Sequence, residues 1–172
     1  MTNEPFTLDN TPGDLIAFEE GFRAAVYLCP TGYPTVGYGR RVRVLDYETG
    51  AEVTFPISRE DEAAHLERRI DKTHQWLTSS FPEWYRALSP QRQAVLISLT
   101  YQVGKGGFQN FKKMIVALAA GDCQSAADEY LDSTAARQTP KRFARGFLIL
   151  HDNLTIDEAV ATVATASARG RN

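Results

Sequence analysis

Three side chains near the N-terminus could together carry out acid-catalysed chemistry: Glu20, Cys29 and Thr35. A carboxylic acid can deliver a proton to a leaving oxygen, and a thiol or thiolate and a hydroxyl can hold and polarise a water molecule. Each residue alone has an ordinary structural interpretation. A lone glutamate is usually solvated, a lone cysteine is often a small buried hydrophobe, and threonine favours strands. The elements that position the three residues therefore decide between the two interpretations.

The first helix is predicted from about residue 12 to residue 20, and Gly21 suits the position just past its end. Its apolar face is predicted to consist of Leu15, Phe18 and Phe22. Glu20 then lies at the negative end of the helix dipole. The unpaired carbonyls there disfavour an ionised carboxylate, which is what a general acid requires.

Cys29 and Thr35 flank a turn signal at Pro30–Gly32, so both can face one cleft opposite the helix end. Residues 25–57 are rich in Gly, Tyr, Val and Thr, and a second turn signal lies at Asp46–Gly50. The runs Thr35–Tyr38 and Glu52–Phe55 are predicted strands of a small antiparallel sheet.

Nearly everything after residue 58 is predicted to be helical. Ser58 begins an S-x-x-D capping pattern, and Ser89 can cap a helix that has Pro90 at its first position. Residues 94–103 of that helix are apolar on almost every side, as in a buried central helix, and three glycines should end it. Further helices are predicted at Phe111–Ala120, Ser125–Leu131, Thr139–Leu150 and after a Thr155–Glu158 capping box.

This order of elements predicts an α+β fold, with a small antiparallel β-sheet lobe and a larger, mostly helical lobe. The active site is expected in the cleft between the two lobes. We expect residues 1–172 to form one domain, with the N-terminal helix and β-lobe over about 13–57 and the helical lobe over 58–172.

Composition narrows the classes of function. A net charge of −2 and a pI of about 5.9 argue against bulk binding to nucleic acid or an anionic membrane. No metal-ligand spacing appears, so neither a metal nor another cofactor is expected, and the pairing of Cys29 and Cys123 cannot be read from the sequence. The polar first residues predict no signal peptide, and the apolar runs are too short for a membrane span.

The segment from Glu20 to Gly39 resembles glycoside hydrolase family 24, the phage-type lysozymes. In that family a Glu is followed after eight residues by Asp or Cys and after five more by Thr, the spacing of Glu20, Cys29 and Thr35. The flanking Glu-Gly-x-Arg, Gly-Tyr-x-Thr and Gly-x-Gly are similar too. Downstream, Gln138-Thr-Pro-Lys-Arg-Phe-Ala-Arg145 resembles the family's Gln-Thr-Pro-x-Arg-x-x-Arg helix, and the stretch Ser98–Gly104 followed by Phe108 resembles its central-helix exit. The resemblance covers about residues 13–151.

The resemblance implies a lysozyme-like fold and an endolysin that hydrolyses the β-1,4 bond between N-acetylmuramic acid and N-acetylglucosamine in peptidoglycan. Glu20 would be the general acid, and Cys29 and Thr35 would position the attacking water. Arg142 would approach Glu20 and orient it through a charge-assisted hydrogen bond, which favours the ionised form and opposes the helix-end effect. Tyr101 would line the glycan cleft, although a structural role for this aromatic side chain is an equal alternative.

The same resemblance implies peptidoglycan strands as the partner and functional dependence on a holin, without nucleic acid or stable membrane insertion. The protein is expected to be a monomer that stays in the host cytoplasm until release and then acts on the periplasmic wall. Two rival functions stay open. A lytic transglycosylase would use one acid without water, and a phage structural protein would bind the wall without cleaving it.

Two positions depart from the family pattern. Arg40 stands where family members often have His, and it could donate to a carboxylate or to substrate instead. Cys29 occupies the Asp/Cys position, which leaves open whether it acts as a thiolate base or only positions water. A set of local basic residues could attract the anionic wall or could simply be solvated: Arg40, Arg41, Arg43, Lys112 and Lys113.

Overall fold

The structure is a computed structural model that describes residues 10–29, 32–42 and 55–169. In chain order its elements are α1 (Pro12–Glu20), β1 (Arg23–Leu28), β2 (Pro34–Gly37), β3 (Arg40–Arg41), α2 (Arg59–Ser80), α3 (Pro82–Tyr85), α4 (Pro90–Gln109), α5 (Lys112–Ala119), α6 (Cys123–Leu131), α7 (Thr134–Gln138), α8 (Pro140–Asp152) and α9 (Ile156–Arg169). A small sheet follows the first helix and the remaining elements are helices. The predicted lysozyme-like α+β fold is confirmed.

Helix α1 has the predicted bounds because its end signals are local. The Thr11 side chain accepts from the Asp14 N–H at 3.2 Å, and the Asp14 carboxylate accepts from the Thr11 N–H at 3.0 Å. Gly21 follows the helix with a φ of +66°, which an L side chain rarely adopts. The helix therefore ends at Glu20, and this turn leads directly into β1.

The predicted apolar face of α1 is wrong at one position. Leu15 and Ile16 are the buried residues of this helix, whereas Phe18 is 42% exposed. The ring of Phe18 instead packs against the Arg145 guanidinium, whose central carbon lies 5.0 Å from the ring centroid. The helix packs against α4 through the Leu15–Ile16 side, and this rotates Phe18 away from the core.

The sheet is antiparallel with the strand order β1-β2-β3, and Tyr27 pairs with Thr35 across β1 and β2. The strand predicted at 35–38 is present one residue earlier, at Pro34–Gly37. Of the strand predicted at 52–55, only Phe55 is described, and it lies in a bend. The turn predicted at 46–50 lies outside the described residues, as do the first two residues of the turn predicted at 30–32.

The helical lobe begins as predicted. Ser58 accepts from the Asp61 N–H at 3.0 Å to cap α2, and Ser89 accepts from the Arg92 N–H to cap α4. Residues 94–100 of α4 are all buried, which confirms a central helix surrounded by packing partners. Gly104 interrupts the helix at the predicted end, with φ +74° and ψ 168°, but helical turns resume after it and run through Gly106 and Gly107 to Gln109. The Thr155–Glu158 capping box is confirmed.

Two short helices were not predicted, α3 and α7, since four or five residues carry too little periodicity to be recognised. The core lies between α4 and its neighbours, and its largest fully buried side chains include Tyr85, Phe108 and Phe143. None of the described helices has the length and apolar character needed to cross a bilayer.

Candidate active site

Glu20 occupies the last turn of α1 and is held there by an arginine from the far end of the chain. Nη1 of Arg142, on α8, lies 2.6 Å from Glu20 Oε1. Nη2 of the same arginine donates to the carbonyl oxygen of Ser98 at 3.2 Å and to its hydroxyl at 3.0 Å. The side chains of Arg142 and Glu20 are 10% and 24% exposed, respectively, so their ion pair is partly shielded from water. The approach of Arg142 to Glu20 expected from the resemblance is present.

The second carboxylate oxygen of Glu20 points toward the sheet lobe. A Cβ atom added at Gly39 would lie 3.3 Å from Oε2, and the φ of Gly39 is +82°. A glycine at this position therefore keeps space beside Oε2 while the backbone turns between β2 and β3. Oε1 is occupied by Arg142, so Oε2 is the oxygen that has room to meet another molecule.

A second ion pair, between Arg145 and Glu19, lies beside the first one and was not predicted from the sequence. Arg145 donates through Nε to Glu19 Oε1 at 2.7 Å and through Nη2 to Oε2 at 2.5 Å, a bidentate arrangement. Glu19 is 4% exposed. Arg142 and Arg145 are three residues apart on one helix and so share a face, which was the available signal for adjacent acidic partners. The two pairs fix the end of α1 against α8.

Tyr101 reaches across the cleft between the lobes. Its hydroxyl donates to the Tyr38 carbonyl oxygen at 2.6 Å, and the Arg69 guanidinium carbon lies 3.9 Å from the centroid of its ring. Burial raises the pKa of Tyr101 to about 12, while the positive charge of Arg69 opposes this rise and the negative charge of Glu20 adds to it. The phenol therefore stays neutral near pH 7 and ties the sheet lobe to α4.

These groups surround one pocket of about 610 Å³. Glu20, Tyr101 and Arg142 all line it, so the structure brings together three of the five residues predicted from the sequence. The remaining lining residues are Glu19, Gly39, Arg69, Gln102, Thr139, Pro140, Lys141 and Arg145. Helix α8 starts at the pocket wall, where Gln102 Nε2 donates to the Thr139 hydroxyl at 3.1 Å.

Cys29 and Thr35 do not line this pocket. Thr35 is 3% exposed, and its hydroxyl donates to the Tyr33 carbonyl oxygen at 2.9 Å. Because that bond uses its one proton, Thr35 can only accept a hydrogen bond from a water molecule. Cys29 is half-buried at the end of β1, where its N–H donates to the same carbonyl oxygen at 3.0 Å.

Tyr27 connects Cys29 to the surroundings of Glu20. Burial is the largest cause that raises the pKa of the Tyr27 phenol, and the charges of Glu20 and Cys29 raise it further against the opposing charge of Arg23. The charges of Glu20 and Cys29 thus raise the pKa of the same phenol. The roles of Cys29 and Thr35 in holding water stay a prediction.

Arg40 forms a buried ion pair instead of contributing to a basic surface. Its Nε lies 3.0 Å from Oε2 of Glu62, a fully buried residue of α2 whose other carboxylate oxygen accepts from the Tyr38 N–H at 3.3 Å. Arg40 thus meets a carboxylate in an ion pair, and with 13% of its side chain exposed it does not belong to a solvated basic surface. A partner so far along the chain left no signal in the sequence.

The other basic residues named with Arg40 differ in their surroundings. The Arg41 guanidinium carbon lies 4.0 Å from the centroid of the Tyr33 ring, and Lys113 lies 3.5 Å from a carboxylate oxygen of Glu129. Arg43 lies outside the described residues. Within residues 10–29, 32–42 and 55–169, no group of three or more His, Cys, Asp or Glu side chains could hold a metal ion.

An α+β fold with a glutamate presented at the end of its first helix, beside a cleft between a small sheet and a helical lobe, is the architecture of a lysozyme-like glycosidase. Residues 17–143 match the family described as Phage lysozyme, and the chain belongs to that family. Membership supports a glycosidase activity of the lysozyme type, with peptidoglycan as the substrate that the family implies.

Relatives from two kinds of organism match most of this chain. The pre-baseplate central spike protein Gp5 of Enterobacteria phage T4 is 29% identical over 155 residues, which are 80% of this chain but 27% of the spike protein. Probable T4-type lysozymes 2 and 1 of Dictyostelium discoideum are 25% and 24% identical. Each match covers 77% of this chain and 88% of the relative. The chain thus corresponds to a portion of one relative and to most of the others.

Proposed function

We propose that this protein is an endolysin-type muramidase that hydrolyses the β-1,4 bond between N-acetylmuramic acid and N-acetylglucosamine in bacterial peptidoglycan. The observation that carries the proposal is the geometry of Glu20. This carboxyl group lines the pocket between the lobes, with Oε1 bound to Arg142 and with space beside Oε2. Glycosidases of this kind need a carboxylic acid on one side of the scissile bond.

In the proposed mechanism, Glu20 donates the proton from Oε2 to the glycosidic oxygen as the bond to the anomeric carbon breaks. Arg142 keeps Oε1 fixed, so the acid does not have to be reoriented in the transition state. The negative charge left on Glu20 is stabilised by the same arginine. Tyr101 and Gly39 both line the wall that the sugars would contact.

Water attacks from the other side of the sugar ring, and we assign its positioning to Cys29 and Thr35. The Thr35 hydroxyl already donates to the Tyr33 carbonyl oxygen, so it would accept a hydrogen bond from the water. Cys29 would supply a second contact: a thiolate there takes the proton that the water loses as its oxygen bonds to the anomeric carbon, whereas with a neutral thiol that proton passes to solvent. Attack from the side opposite the acid inverts the configuration at the anomeric carbon.

Digestion of purified sacculi by the wild-type protein and by Glu20→Gln tests this mechanism. Glutamine keeps the shape of the side chain but cannot deliver the proton, so the rate should fall by at least ~100-fold, the usual scale of general acid catalysis. Glu60→Gln, an exposed change on α2, is the matched control and should leave the rate unaltered. Circular dichroism confirms that each variant is folded. A folded Glu20→Gln variant with near-normal activity contradicts the assignment of the acid.

The products of the same digestion separate hydrolysis from the transglycosylase alternative. Hydrolysis leaves reducing N-acetylmuramic acid ends, each heavier by one water than an anhydro end, and mass spectrometry of the muropeptides distinguishes the two. NMR at early times should detect the inverted anomer before mutarotation. Mainly anhydro ends would replace the proposal with a lytic transglycosylase, and an early β-anomer would indicate a covalent intermediate.

In the cell, we propose that the enzyme acts in phage release: it stays in the host cytoplasm until a holin opens the inner membrane, and it then acts as a monomer on the periplasmic wall. The similarity to a phage spike protein favours a second candidate, a lysozyme carried in the virion as part of its structure. Mass spectrometry of purified virions decides between them, because only the second candidate requires the protein to be present in the particle.

A further inference from the structure

The pocket that contains Glu20 carries more positive than negative charge. Its lining includes four cationic side chains, Arg69, Lys141, Arg142 and Arg145, against the two carboxylates Glu19 and Glu20. Both carboxylates are matched by the ion pairs to Arg142 and Arg145. In the described part of the chain, Arg69 and Lys141 have no carboxylate partner. A chain with a net charge of −2 thus concentrates two uncompensated cations at its pocket.

Arg69 is held in place before any ligand arrives. Its guanidinium lies over the Tyr101 ring at 3.9 Å from the centroid, and the Tyr101 hydroxyl is itself bound to the Tyr38 carbonyl. Stacking on an aromatic ring restricts the long side chain, so less rotamer freedom is lost on binding. The planar fork of a guanidinium fits a carboxylate through two parallel hydrogen bonds.

Lys141 supplies the second charge from another element. It is the second residue of α8, directly before Arg142, and its side chain is exposed at the pocket. An ammonium group on a flexible stem can follow an anion without a fixed geometry. A rigid guanidinium on α2 and a mobile ammonium on α8 therefore bound the same pocket.

We propose that Arg69 and Lys141 form a subsite for a carboxylate carried by the substituent on the muramic acid residue. The inference rests on the proposed function, since it names a group of the substrate, other than the sugar rings, that the site binds. The carboxylate has two possible sources: the stem peptide, or the lactyl group where the stem has been removed. A glycan of N-acetylglucosamine alone has no such group and would leave both cations unmatched.

Binding tests the subsite separately from cleavage. Every protein in the test carries Glu20→Gln, so any effect of that change cancels between variants. Affinity is measured by sedimentation at low ionic strength with intact sacculi, with sacculi whose carboxyl groups are converted to methylamides, and with soluble glycan strands freed of stem peptides. Arg69→Gln and Lys141→Gln are compared with two controls. These are Arg59→Gln, whose guanidinium carbon lies 4.5 Å from the Phe22 ring centroid, and Lys105→Gln, on an exposed part of α4 outside the pocket lining.

Arg69→Gln and Lys141→Gln should each weaken binding to intact sacculi by about three- to tenfold, the range between an exposed ion pair and a charged hydrogen bond. The preference for free over amidated carboxyl groups should fall by the same factor, and the control variants should keep that preference. Equal losses on amidated sacculi, or equal losses in the controls, overturn the subsite.

The soluble strands identify the source of the carboxylate. An effect of Arg69→Gln that persists on strands without stems assigns the lactyl carboxylate, and an effect confined to intact sacculi assigns the stem peptide. Both results support the subsite. If the proteins that carry Glu20→Gln bind with the expected preference but the protein with Glu20 intact cleaves nothing, the proposed function fails while the subsite stands.

Discussion

Replacing Gly37 with alanine should destabilise the protein through a steric conflict with Glu62. An alanine Cβ at this position would lie 2.2 Å from Glu62 Cδ, far inside van der Waals contact. Glu62 is fully buried and is held by the Tyr38 N–H and by Arg40. The carboxylate cannot move away without weakening both contacts, and the φ of +62° at Gly37 adds backbone strain for any L side chain.

The two contributions can be estimated separately. The left-handed backbone costs alanine roughly 1–2 kcal/mol. Breaking a buried ion pair by removing one partner costs roughly 3–5 kcal/mol, and a displaced Glu62 that keeps part of its contacts loses about half of that. The free energy of unfolding should therefore fall by about 4 kcal/mol, a large share of the 5–15 kcal/mol typical of a domain. In a chain of this length the corresponding loss in Tm is about 8–16 °C.

Urea denaturation followed by circular dichroism measures this loss, and Gly121→Ala is the matched control. Gly121 has a φ of +77° but no atom within 4 Å of an added Cβ, so only the backbone cost of about 1–2 kcal/mol should appear. In a Glu62→Ala background the steric conflict is gone, and Gly37→Ala should then cost no more than the control. Equal losses at Gly37 and Gly121 in the wild-type background would refute the reasoning.

Two further predictions concern the site. Cys29→Ser should lower kcat more than it raises KM, whereas Cys123→Ser at the start of α6 should leave both nearly unchanged; equal and small effects of both changes would remove Cys29 from the mechanism. The pKa of Tyr101 is raised to about 12, so its contribution to stability is complete below pH 10 and is lost as the pH rises toward 12. Tyr101→Phe should accordingly lose less stability than the wild type between these pH values in urea titrations, and an identical alkaline loss would contradict the assignment.

Local signals explain most of what could be predicted about the fold. The caps at Ser58 and Ser89 act within three residues of themselves, so their sequence patterns predict helix starts directly. The nearly all-round apolar character of residues 94–103 located the buried central helix α4. The error at Phe18 arose because periodicity gives a face but not the direction in which the helix turns that face toward its neighbours.

The candidate site was predicted in part, and the division follows sequence distance. The family spacing pointed to Glu20, and the Gln-Thr-Pro motif pointed to Arg142, because short motifs retain residue types that chemistry needs. The pairs Arg145–Glu19 and Arg40–Glu62 were not predicted. Each depends on how separate elements pack, and a charged residue in a sequence does not name its partner.

The sequence by itself determined where α1 ends and which residue stands there, since a capping box, a proline and a glycine define that helix within ten positions. Only the tertiary structure decided what surrounds the carboxyl group. It brought Arg142 to Oε1 of Glu20 and kept space beside Oε2. It also stacked Arg69 on the Tyr101 ring and placed Cys29 and Thr35 outside the pocket lining. The physical reason is range: caps and turns are set by neighbours along the chain, whereas the charge and shape of a pocket depend on side chains that meet only when the whole core has packed.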